Sequence, residues 1–151
     1  MNLILERTDS VPWFTNMQSV FCALGFSASD YDWFVSDIET NYYGDDFSSE
    51  DQWVVGEALE RLITQNEVQF IWGVFSAFKK GTRFPVGNSP NVQDYAGYWS
   101  GVEVAPQLKE ALFEIAAWDS SATILIGLPA DAEEHFKVTY PDAKSLASSA
   151  R

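Results

Sequence analysis

The sequence predicts an α/β or α+β fold: a single domain with a central mixed sheet of about 4–5 strands and about four helices packed on it. Three observations lead there. Short β-prone apolar runs alternate along the chain with amphipathic stretches of helical period. One of those runs, Val68 to Phe78, is almost wholly apolar, as a strand buried on both faces would be. With 46% hydrophobic residues in 151, the chain can bury one sizeable core, and no repeat or linker divides it. The domain is expected to span residues 1–143, with residues 144–151 as a flexible tail rich in Ser and Ala.

The elements follow in order. Residues 2–6 alternate weakly and suggest a first strand. Pro12 suits the first position of a helix, which would run through Met17, Val20, Phe21 and Leu24 to a C-terminal Gly25. Tyr31 to Glu39 reads as a strand, and Asn41 to Asp46 as a turn-forming loop. Ser49 with Gln52 fits a capping box, starting a helix that buries Val55, Ala58, Leu59, Leu62 and Ile63. After the 68–78 strand, Lys79-Lys80-Gly81 turns the chain. Residues 84–101 read as a long loop, in which Tyr95, Tyr98 and Trp99 suggest a short strand toward Val104. Pro106 is expected to start a helix through Leu108, Leu112, Phe113, Ile115 and Ala116, Thr123 to Leu128 a strand, and Pro129 a last helix through Phe136.

Charge is distributed unevenly along this order. The 53 residues between Arg7 and Arg61 hold no lysine or arginine but carry 11 of the 22 acids, whereas the other 98 residues hold 11 acids and 9 bases. The same window holds 11 of the 23 aromatic residues. Acid interleaved with aromatic groups suits a surface for a basic partner, because charge steers the encounter and rings supply buried contact. A net charge of −13 argues against nucleic-acid binding, which needs clustered bases. No run approaches the ~18–20 apolar residues of a membrane span. The N-terminus lacks a signal-peptide pattern. The single Cys22 excludes an internal disulfide, so a cytoplasmic location is expected.

Chemistry-bearing motifs are sparse. His135 is the only histidine and falls on a polar helix face without metal-ligand companions, while Cys22 is expected on the buried face of its helix. No G-x-S-x-G elbow, P-loop or dinucleotide fingerprint is present. Asp37 and Glu39, two apart on a strand, share a face, and Asp45, Asp46, Glu50 and Asp51 follow after a turn. Such a set offers oxygen ligands to a divalent cation, but the EF-hand pattern fails, with Tyr42 and Ser48 where Gly and Glu are required. Glu50 and Asp51 also suit a helix's first turn. With Val55 at the centre of the buried helix face, Trp53, Glu57 and Glu60 fall roughly 140–200° away. Trp53 is then either an exposed anchor beside acid or a ring folded back over Tyr42 or Tyr43.

Three segments, Trp33-Phe34-Val35-Ser36-Asp37-Ile38-Glu39, Phe70-Ile71-Trp72-Gly73-Val74-Phe75-Ser76, and Ile124-Leu125-Ile126-Gly127-Leu128-Pro129, the last ending at Phe136 and Tyr140-Pro141, span most of the chain. In these segments the chain resembles the small acidic bacterial immunity proteins that neutralise polymorphic or contact-delivered toxins. The resemblance implies a compact, non-enzymatic protein that binds a toxin domain at or beside its active site. The expected function is therefore inhibition of a cognate, basic, nuclease or nucleotide-acting toxin, with no cofactor, metal, nucleic acid or membrane involved. The expected partner surface comprises Asp37, Glu39, Tyr42, Tyr43, Asp45, Asp46, Trp53, Glu57 and Glu60. Two other readings remain open: a small divalent-metal hydrolase with Asp37, Glu39, Asp45 and Asp46 as ligands, and an inhibitor that mimics nucleic acid.

Overall fold

The computed structural model describes residues 1–6, 8 and 16–150. Strand β1 (Leu3–Glu6) leads to helix α1 (Met17–Leu24), then β2 (Asp32–Thr40), β3 (Gln52–Val54) and α2 (Gly56–Gln65). After these come β4 (Phe70–Phe78), β5 (Phe113–Trp118), β6 (Ala122–Ile126), α3 (Ala130–Thr139) and a two-residue β7 (Lys144–Ser145). The strands form one sheet in the order β3-β2-β4-β5-β6-β1-β7, and every pairing is antiparallel.

The expected mixed sheet of 4–5 strands with about four helices is therefore corrected to an α+β fold with seven antiparallel strands and three helices among the described residues. Two differences have clear causes. The helix expected from Pro106 is strand β5. Its Phe113, Ile115 and Ala117 face one cluster and Ala116 the other, so a segment apolar on both faces hides its period of two. The helix expected from Ser49 begins only at Gly56, because Gln52–Val54 pairs with Val35, Phe34 and Trp33 at the sheet edge.

Side-chain alternation sorts the core into two layers. Trp33, Val35, Phe75, Ala77, Ile115 and Leu125 point to the face covered by the three helices. Phe34, Val74, Phe78, Ala116, Ile124 and Ile4 point to the other, which is covered by the long β4–β5 connection and by Leu146. Helix α1 starts at the Asn16 cap, whose side chain accepts from the Ser19 N–H, so it begins well after Pro12, which lies outside the described residues. It stops at Gly25, where φ is +79° and the N–H bonds the carbonyls of Cys22 and Phe21. Cys22, expected in the core, is exposed on this helix. Lys144–Ser145 pairs with β1, and Leu146 behind it is 2% exposed, so these residues continue the fold beyond position 143.

A buried polar network fixes the β4–β5 connection. Glu114, inside β5 and 0% exposed, accepts the Gln107 N–H at 2.7 Å and the Tyr98 hydroxyl. The Gln107 side chain in turn donates to the Tyr98 oxygen and to the Asn91 carbonyl, both within 2.9 Å. Burial raises the pKa of both Glu114 and Tyr98, because neither charged form is matched by a cation.

Candidate functional site

The acidic window folds into three parts with different roles. The first is a structural cluster around Asp32, which is 2% exposed at the start of β2. Its two oxygens accept the N–H groups of Gly56 and Gly81, at 3.0 and 2.9 Å. They also pair with Lys80 and Arg83, each at 3.0 Å. Burial alone would disfavour the charge on Asp32, but these two N–H groups and two cations outweigh it and hold its carboxyl well below the usual range. Glu57 also pairs with Lys80, which lowers its pKa, so two bases from outside the window return in space to neutralise it.

The second part consists of residues that position backbone. At Asp37 the register of β2 against β4 slips by one residue, and φ is +54°. The Asp37 carboxylate accepts from the N–H groups of Val92 and Gln93 and from the Gln93 amide, tying the long connection to the sheet. Its own N–H donates to Asp51. Glu60 accepts the Ser27 hydroxyl and the Ala28 N–H, both at 2.8 Å, capping the 3-10 turn Ala28–Asp30. Trp53 is on β3, not on a helix face with Glu57 and Glu60. Its ring packs among Phe34, Phe78 and Phe84 with the Arg83 guanidinium over it, and its N–H donates to the Phe84 carbonyl. It folds neither outward nor over Tyr42 and Tyr43.

The third part is the β2–β3 connection, and it is the candidate site. Tyr43 within it is 93% exposed. Glu39 near the end of β2 and Asp45, Asp46, Glu50 and Asp51 in the connection are exposed as well, and none of them forms an ion pair among the described residues. The Tyr42 hydroxyl donates to Asp46, which stiffens the loop; this bond, reinforced by burial and the charges of Asp46 and Asp45, raises the phenol pKa. Between the loop and α2 lies a groove of about 330 Å³, lined by the apolar Phe47, Val54, Val55 and Leu62 and by the charged Asp46 and Arg61. Val55, expected at the centre of the buried helix face, is 46% exposed here. A preorganised acidic loop with an exposed ring beside an apolar groove can hold a protein surface.

Of the expected surface residues, Glu39, Tyr42, Tyr43, Asp45 and Asp46 lie in or next to one loop, whereas Asp37, Trp53, Glu57 and Glu60 are engaged by contacts elsewhere in the fold. Phe47 and Arg61 belong to the groove but were not singled out from the sequence. Phe47 sits among the turn residues of an apparent loop, and Arg61 marked only the window's boundary. Among the described residues no three His, Cys, Asp or Glu side chains are grouped to hold a metal ion, so the set Asp37, Glu39, Asp45 and Asp46 is not assembled as ligands. No helix among them is long and apolar enough to cross a membrane. Comparison with protein-family models, with curated proteins and with solved structures gave no match.

Proposed function

We propose that this chain is an immunity protein, a stoichiometric inhibitor that binds a basic toxin domain through the β2–β3 loop and the groove behind it. One observation carries the reading: Tyr43 is 93% exposed within a loop whose carboxylates form no ion pair among the described residues. An aromatic ring in water gains by burial against a partner, and unpaired acids around it select a partner rich in Lys and Arg. The proximity of Phe47, Val54 and Val55 adds apolar area that an isolated acidic loop would lack.

Co-expression tests the proposal. Toxin and antidote of this kind are usually encoded together, so the product of the adjacent reading frame is the partner to express. Cells producing it should die alone and survive with this chain. The double variant Tyr43→Ala, Asp45→Lys should protect poorly although it folds, since both side chains are exposed and neither is among those that hold the core. Equal killing with and without the wild-type chain would end the proposal.

A further inference from the structure

A second groove, of about 400 Å³, lies on the opposite side of α2, between that helix and α1. Its apolar lining is Phe21, Phe26 and Ile63, and its polar lining includes Asp30, Glu60 and Thr64. The two carboxylates are held by their contacts with the chain. Asp30 accepts the Ser27 N–H through Oδ2, and Glu60 accepts Ser27 and Ala28 through Oε2. The Oδ1 and Oε1 atoms have no hydrogen-bond or ion-pair partner among the described residues. No lysine or arginine lines the groove. Two carboxylates held by backbone and hydroxyl donors, in a groove shared with aromatic and aliphatic side chains, suit one cation with an apolar stem.

We infer that this groove receives an arginine side chain of the protein partner. Arginine fits better than lysine because its planar guanidinium can lie over the Phe26 ring while its donors reach separate carboxylate oxygens, and its methylene stem covers Ile63. Helix α2 joins the two grooves: Glu60, Ile63 and Thr64 line this one, and Ala58, Arg61 and Leu62 line the groove behind the acidic loop. A basic surface straddling α2 therefore meets the groove lined by Asp46 and Phe47 of the acidic loop on one side and this groove on the other. The choice of a protein's arginine as occupant rests on the proposed basic partner, but the groove itself can be tested without that partner.

The test is titration of N-acetyl-arginine methylamide into the isotope-labelled protein, followed by amide NMR shifts, with the uncharged citrulline analogue as control. The expected result is saturable shifts at Phe26, Ser27, Ile63 and Thr64, at least about fivefold weaker binding of the citrulline analogue, and further weakening as salt screens the pair. Thr64→Trp fills the groove from an exposed position, and Asp30→Asn removes one charge; each should reduce binding at least about fivefold. Absence of shifts at these residues, or equal binding of arginine and citrulline analogues, overturns the inference. Such a result leaves the co-expression outcome unaffected, so failure of the groove and failure of the proposed function are separable.

Discussion

Asp32→Asn is expected to destabilise the fold by about 3 kcal/mol, measured by urea unfolding at neutral pH. Asn keeps the shape but carries no charge, and a single carbonyl oxygen replaces the two that serve the Gly56 and Gly81 N–H groups, Lys80 and Arg83. Because Lys80 and Arg83 are each about 40% exposed and can turn to water, the loss falls at the lower end for a buried ion pair. The pH dependence supplies a second check. The folded carboxyl titrates below its ordinary value of 3.8, so as pH falls the unfolded chain takes up the proton first. The stabilisation is whole above that value and disappears as pH falls through it toward the depressed folded one. Wild type should therefore lose more stability than Asp32→Asn between pH 5 and pH 2, roughly the interval over which such carboxylates titrate. Parallel pH profiles for the two proteins would refute this role of Asp32.

Gly56→Ala is expected to cost about 3 kcal/mol or more by the same measurement, although it replaces glycine by the best helix former at a helix start. A β-carbon at Gly56 would lie 1.9 Å from the Tyr31 carbonyl oxygen and 2.5 Å from that of Ala28. Both contacts are with backbone, so no side chain can swing away; α2 would have to leave the Ala28–Asp30 turn and break the Gly56–Asp32 bond. Gly81→Ala serves as a comparison. Nothing lies within 4 Å of its would-be β-carbon, yet its φ of +88° disfavours alanine, so its smaller cost comes from the backbone alone.

Single elements were readable from local signals, although the sheet that assembles them was not. Strand β4 was evident from an almost wholly apolar run, α3 from Pro129 at its start, and the end of α1 from Gly25. What escaped reading depends on contacts distant in the chain. Trp53-Val54 follows a plausible capping box, but pairing with Trp33 and Phe34 makes it an edge strand. The two residues of β7 have no periodicity to read and exist only because β1 offers an edge. The candidate site shows the same division. The acidic loop and Tyr43 could be recognised because turn chemistry keeps a loop at the surface. The fate of Asp32, Glu57 and Glu60 could not, since Lys80, Arg83 and Ser27 come from elsewhere in the chain. A charge imbalance counted along the sequence thus overstates the one on the surface, and five exposed acids without an ion pair, Glu39, Asp45, Asp46, Glu50 and Asp51, fall in or next to the loop that carries Tyr43.

Binding of a basic protein by these acids is tested by the association rate with the purified product of the adjacent reading frame, measured at low and at high salt for wild type and for Asp45→Lys, Glu50→Lys. Wild type should associate rapidly, slowing about tenfold or more as salt rises, and the charge-reversed protein should start about tenfold slower with little left for salt to screen. Association that ignores salt, or identical rates for the two proteins, would contradict binding through this acidic loop.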